Sequence, residues 1–222
     1  MIIVHHLQDS RSQRVLWLLE ELGVEYEVKR YERDPETSLA PAALRNVHPL
    51  GKSPVIEDGT IVVAETGAIA EYLVEKYGDG KLIPPAGTAA RRDYTYWLHF
   101  SEGSAMTQLL LRLFFSRIKE SKMPFFAKPI ANNIADRVLN SYVNPNIAAQ
   151  LDFMEKEIQK TGWFAGLEMT AADIMMIFPL EGVNARMGLK DQYPNLHKYV
   201  ERIHALPAYQ RALERGGSYS FV

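Results

Sequence analysis

The sequence predicts a small mixed α/β unit followed by an all-helical one, on three observations. Strand and helix signals alternate through the first 80 residues in the order βαβ…ββα. Lys81–Gly87 (KLIPPAG) is rich in Pro and Gly and reads as a rigid linker. Beyond it the periodicity is helical throughout, with no strand signal. The expected division is therefore residues 1–80, a linker at 81–87 and a helical unit over 88–222.

Ile2–His6 reads as the first strand, Gln13–Leu22 as a helix and Glu25–Tyr31 as a second strand. Ser53-Pro54 sets a proline just before the strand-like Val55-Ile56, a context for a cis bond or tight turn. Glu57-Asp58-Gly59-Thr60 predicts a hairpin turn leading to a strand at Ile61–Ala64. Glu65-Thr66-Gly67 then opens a helix whose apolar positions Ile69, Leu73 and Tyr77 recur every four residues, with Thr66 as its N-cap.

In the helical unit, one long helix is expected from Thr88 to about Lys119. Tyr94, Trp97, Leu98, Met106, Leu109, Leu110, Leu113 and Phe114 lie on its expected buried side. A break near Met123-Pro124 leads to a second helical stretch. Asn144-Pro145 reads as N-cap and first residue of another helix. Thr170 and Asp173 form a capping box, with Met169 and Ile174 placed for a hydrophobic staple. Tyr193-Pro194 and Leu206-Pro207 open two short helices.

Composition narrows the function. At 222 residues the chain can bury a real core, and a net charge of −2 gives no basic field for nucleic acid. No run approaches a membrane span, and Met1-Ile2-Ile3 reads as the start of a strand rather than of a signal peptide, so the cytosol is expected. The chain has no cysteine, which excludes disulfides, thiolate metal sites and any mechanism using a protein thiol. His5 and His6 are adjacent in a strand, so at most one faces a given site, and neither has metal-ligand spacing to a third ligand. No metal is expected.

The segment Leu50–Leu73 carries the chemistry. A helix start presents free N–H groups and a positive dipole end to an anion. Glu65 beside it can pair with an ammonium, and Lys52 can hold a second carboxylate. One amino group and two carboxylates describe glutathione. This arrangement resembles the N-terminal domain of the soluble glutathione transferases, and the likeness extends along the whole chain.

The resemblance implies a thioredoxin-like N-terminal domain and an all-α C-terminal domain. It implies that Ser53, before a cis-Pro54, pairs through its backbone with the cysteinyl unit of glutathione. Glu65-Thr66 would hold the γ-glutamyl end and Lys52 the glycyl carboxylate. Glutathione is then a co-substrate, with no separate cofactor. A homodimer is implied, with the long helix after the linker at its interface, and Thr170-Asp173 matches the family's structural cap.

Family chemistry is activation of the glutathione thiol, whose free pKa near ~8.5 leaves little thiolate at neutral pH. The loop after the first strand, Leu7 to Val15, holds no tyrosine, so a serine-type enzyme is expected. Ser10 is preferred, four residues before Arg14-Val15, with Ser12 as the alternative. Ser10-x-x-Gln13 also reads as a capping box. The electrophile site is expected between Leu7, the long helix (Met106, Leu110, Phe114) and the tail Tyr219-Ser220-Phe221. The expected activity is attack of the thiolate on a small hydrophobic electrophile, or reduction of an organic hydroperoxide. The alternative is a non-catalytic binding or assembly module of the same fold.

Overall fold

The computed structural model describes residues 1–222. All four strands lie within the first 64 residues. β1 (Ile2–Leu7), α1 (Ser12–Leu22) and β2 (Tyr26–Tyr31) form a βαβ unit, with β1 and β2 parallel from Ile2 beside Tyr26 to Leu7 beside Tyr31. β3 (Val55–Asp58) lies antiparallel on the other side of β1 and pairs with β4 (Ile61–Ala64), giving the order β2-β1-β3-β4. The expected four-residue turn is narrower: Glu57 and Asp58 belong to β3, and Asp58 pairs with Ile61. Gly59 takes φ +63°, the left-handed conformation that a two-residue hairpin asks of its first turn position. α2 (Thr66–Tyr77) follows β4 and buries Ile69, Ala70, Leu73 and Val74.

α1 is buried on every side from Ser12 to Leu19. It packs against the sheet, and against α2, α7 and α9, whose ranges follow. A single core therefore runs from Ile2 and Val4, through Val15–Leu19, to Ile174, Leu180 and Tyr209. Gly216, the last residue of α9, lets that helix approach: a Cβ there would stand 2.5 Å from Gln13 Oε1 and 3.0 Å from Leu16 Cδ1. The segment after α2 is tied back by the Ala171 N–H, which donates to the Leu82 carbonyl at 2.9 Å.

The helices are α3 (Ala89–Phe100), α4 (Met106–Glu120), α5 (Lys128–Val138), α6 (Asn144–Thr161), α7 (Ala171–Met187), α8 (Pro194–His204) and α9 (Pro207–Gly216). The expected long helix is present, capped by Thr88, but a π-helical turn at Ser101–Ala105 interrupts it between α3 and α4. That wider turn shifts the phase of the buried stripe. Tyr94, Trp97, Leu98 and Met106 are buried as expected, whereas Leu109, Leu110 and Leu113 are half-buried and Phe114 is 57% exposed.

A second π turn, Leu139–Val143, joins α5 to α6 without a break. Asn144 is consequently helical (φ −63°, ψ −42°) and is not the N-cap expected there. The wider turn accommodates the missing N–H of Pro145 inside a continuous helix. Asn144 Oδ1 accepts instead from Arg112 at 2.5 Å. The Thr170-Asp173 capping box forms in full. Strand pairing after residue 90 is limited to one isolated bridge, Trp163 to Gly166. No helix is long and apolar enough to cross a membrane.

Candidate functional site

Strand register gathers the singled-out residues at one end of the sheet. Val55 pairs with His5 on one side and Ala64 on the other. Ser53-Pro54 just before Val55, Glu65-Thr66 just after Ala64, and His6 and Leu7 just after His5 thus emerge together. The Ser53-Pro54 peptide is cis and Pro54 is buried. Ser53 Oγ donates to the His5 carbonyl at 2.7 Å and accepts the Leu7 N–H at 3.2 Å, which stitches this loop to β1. Lys52, just upstream, is exposed.

Glu65, not Thr66, is the N-cap of α2. Thr66 is the first helical residue; although it is largely buried, its side chain accepts no helix N–H. The Glu65 backbone sits at φ 73°, ψ 126°. A non-glycine residue held in that conformation costs on the order of 1–3 kcal/mol, and such positions cluster where ligands bind. The Glu65 side chain is exposed and has no protein hydrogen-bond partner, beside the free N–H groups of the α2 start. That pairing of an anion with a positive dipole end suits a zwitterion.

The β1–α1 loop brings Ser10, Ser12 and His6 into one hydrogen-bonded group. Ser10 Oγ lies 2.7 Å from Ser12 Oγ and accepts the Ser12 N–H at 3.2 Å. Ser12 Oγ lies 2.9 Å from His6 Nδ1 and 3.3 Å from the Leu7 carbonyl. Ser10 keeps 6% exposure and Ser12 none, so only Ser10 can meet a ligand without rearrangement. Burial, reinforced by Arg30 and opposed by Asp9 and the Gly216 carbonyl, lowers the His6 pKa to about 4. His5 points the other way, to Tyr31 and Glu57.

The Ser10-Gln13 capping box does not form. Arg11 stands at the cap of α1 without a side-chain bond, and the Gln13 amide is buried without a partner against α9. Packing of α9 on α1 decides that orientation. The same loop is braced from the helical half. Arg14, fully buried in α1, donates to Ser101 Oγ at 3.2 Å and the Met175 carbonyl at 2.7 Å, and pairs with Glu102. Arg11 pairs with the other Glu102 oxygen at 3.1 Å. The π turn at Ser101–Ala105 is what presents both partners.

The four residues expected to line an electrophile pocket differ in their burial. Leu7 packs with Tyr31 and Leu44 in a small cluster of its own, Met106 is buried, Leu110 is half-buried and Phe114 faces out. The alternation of β1 and the phase shift after the π turn account for this. The tail does reach the loop. Ser220 donates its N–H and its hydroxyl to the Asp9 carboxylate, both at 2.8 Å, and Tyr219 donates to Glu181 at 2.5 Å. Phe221 stands edge-on to Phe178 at 5.6 Å, and the Arg14 guanidinium lies over the Phe178 ring at 5.3 Å.

Asp9, Arg14, Phe178 and Glu181 escape sequence reasoning. A lone arginine on an otherwise apolar helix face was the one available signal. No group of three or more His, Cys, Asp or Glu side chains could hold a metal ion.

The glutathione S-transferase N-terminal domain model matches residues 1–75, and the C-terminal domain model matches residues 114–207. "Glutathione S-transferase 1" of Saccharomyces cerevisiae is 31% identical over 97% of this chain and 95% of its own length. "Glutathione S-transferase 3" of Schizosaccharomyces pombe is 33% identical over 97% and 88%. A crystal structure of a glutathione S-transferase from Actinobacillus pleuropneumoniae superposes with a TM-score of 0.80 at 34% identity, covering 99% of this chain and 94% of that one. Matched in both halves and aligned end to end with these relatives, the chain belongs to the glutathione S-transferase family.

Proposed function

We propose that this glutathione transferase binds glutathione at the C-terminal end of β1 and uses Ser10 to stabilise its thiolate. The proposal divides the chain into a glutathione-binding domain at 1–80, a linker at 81–87 and a helical domain at 88–222. The observation that carries it is the register-driven convergence of Ser53, cis-Pro54, Glu65 and Ser10 at one sheet end. Glu65 takes the ammonium, the α2 N–H groups at Thr66 take the adjacent carboxylate, and Lys52 takes the glycyl carboxylate. The Ser53 backbone, after its side chain is stitched to β1, is left to pair with the peptide. Ser10 is favoured over Ser12 by its residual exposure.

With the thiol bound, its proton leaves to solvent and the sulfur attacks. Addition to the electron-poor C=C of a small hydrophobic electrophile forms an S–C bond as the π bond breaks, and the resulting carbanion takes a proton from solvent. With an organic hydroperoxide, two glutathiones become the disulfide while the peroxide becomes an alcohol and water. Tyr219, Phe221 and Phe178 supply an aromatic wall next to the Ser10 loop, which supports hydrophobic second substrates. Retention on immobilised glutathione, followed by turnover on a panel of electrophiles and hydroperoxides, tests the reading. Retention without turnover on any of them would favour a binding module instead.

A further inference from the structure

The His6–Ser12–Ser10 group has more acceptor sites than protons, and counting them restricts its states. His6 Nδ1 is 2.9 Å from Ser12 Oγ, which is 2.7 Å from Ser10 Oγ and 3.3 Å from the Leu7 carbonyl. Ser12 is 0% exposed and His6 3%, so solvent cannot relieve a misplaced proton between them, and only Ser10, at 6%, opens toward a ligand. Each hydroxyl has one proton to give. If Ser12 gives its proton to His6 or to the Leu7 carbonyl, the 2.7 Å contact requires Ser10 to give its own to Ser12. Ser10 then faces a ligand with lone pairs alone and would repel a thiolate. If Ser12 gives its proton to Ser10, the Ser10 proton is free to point outward. Ser12 then needs a donor at His6 Nδ1, because a lone pair there would face oxygen lone pairs at 2.9 Å.

We propose that His6 is a positioning residue for thiol activation: glutathione binding selects its Nδ1–H tautomer, and the donors then run His6 to Ser12 to Ser10 to sulfur. The inference rests on the reading of Ser10 as the hydroxyl that meets the sulfur. No proton travels along the chain. The thiol proton leaves to solvent, and Ser10 keeps its own while donating it to the anion. The Gly216 carbonyl is the rival acceptor for the single imidazole proton, and Arg30 and Asp9 are the charged groups acting on the ring. The ring is neutral at neutral pH, so the tautomer rather than the charge is the variable.

Nitrogen-15 NMR of the histidine-labelled full chain, saturated with glutathione at neutral pH, reads the tautomer directly. The Nδ1–H form of His6 is expected in the complex, and the Nε2–H form there would overturn the proposal. His6→Leu should raise the thiol pKa of bound glutathione and reduce its thiolate fraction at neutral pH roughly three- to tenfold, read by thiolate absorbance. Glutathione affinity at about pH 5, where the thiol is neutral, should change less than roughly twofold. His6→Asn can place an amide N–H near the Nδ1 position and should restore most of the thiolate. Equal loss in both variants would mark the ring as merely structural and sink the idea. Ser10→Ala separates the two layers: a wild-type thiolate fraction there removes the reading of Ser10 itself. Lost thiolate in Ser10→Ala with wild-type behaviour in His6→Leu overturns only the role of His6. Should His6→Leu not fold, the NMR measurement on the wild-type chain still decides.

Discussion

Glu65 combines a left-handed backbone, an exposed carboxylate and a place beside the unpaired N–H groups of α2. Nothing within the protein pairs with that carboxylate, which leaves it free for the ammonium of the proposed glutathione site. Glu65→Ala should weaken glutathione by about 1.5–3 kcal/mol, the range for a hydrogen bond to a charged group. Thr66→Ala should cost glutathione less, because the backbone N–H groups survive. Calorimetric titration giving wild-type affinity in Glu65→Ala would remove the basis of the site. His6 makes a separate prediction about stability. Its folded pKa of about 4 lies below the 6.5 of an unperturbed histidine, so between those values the unfolded chain binds more protons. Its contribution is fully present above about pH 6.5 and is lost as pH falls toward 4, about 2–3 kcal/mol by about pH 4.5. Urea unfolding of wild type and His6→Asn across that range should show a steeper acid loss in wild type. Parallel curves would show that His6 is not held neutral by the fold.

At the level of single elements, helix starts explain more than helix interiors. α7 begins at a box in which the Asp173 carboxylate accepts the Thr170 N–H at 2.8 Å and the Phe164 N–H at 3.0 Å, and also the Tyr199 hydroxyl at 3.0 Å. These bonds tie α7, α8 and the segment before α7 into one buried joint. Asp173→Ala leaves the Phe164 and Thr170 N–H groups and the Thr170 hydroxyl without that acceptor, while the Tyr199 hydroxyl keeps the backbone carbonyl of residue 173, and should cost about 3 kcal/mol or more. Glutathione affinity of the surviving folded protein should be nearly unchanged, since the joint lies in the helical half. Denaturant titration paired with glutathione calorimetry checks both. Lost affinity at retained stability would contradict a purely structural role. The π turns act differently: the one at Ser101–Ala105 hands Ser101 and Glu102 to Arg14, and so braces α1 from across the linker.

Across the whole molecule, α1 is the shared member. Its buried faces join the sheet to α7 and α9, and the tail after α9 returns to the loop at its start. The Asp9–Ser220 clasp therefore couples the C-terminus to the residues that flank Ser10. Asp9 has φ 51°, so Asp9→Gly removes the clasp while keeping a backbone that glycine adopts readily. Amide exchange at Ser218–Val222 should rise at least roughly tenfold, as expected when about 1.4 kcal/mol or more of local closure is lost. KM for a hydrophobic electrophile should rise more than KM for glutathione. Unchanged tail exchange in Asp9→Gly would show that Tyr219 and Phe221 hold the tail without the clasp.

Local chemistry was enough to read the element order, the cis-proline context and the capping box at Thr170-Asp173 from the sequence. Each of these depends on residues within a few positions of one another, where periodicity, turn chemistry and caps act directly. Family membership was legible for the same reason, in the order of Ser53-Pro54 and Glu65-Thr66. Contacts between distant segments decided the rest. Thr66 became the first helical residue and left the cap to Glu65, because α2 starts one residue earlier than its cap chemistry suggested. Gln13 lost its box to α9, and Phe114 and Leu110 left the buried stripe of their helix when a π turn rotated it. Asn144 became helical because another such turn carried the chain through Pro145. His6, Ser12 and Ser10 are close in sequence, yet their hydrogen-bonded order needs the burial that α1 and α9 impose. A short segment cannot encode which neighbour will exclude its water, and that exclusion determines where each side chain points.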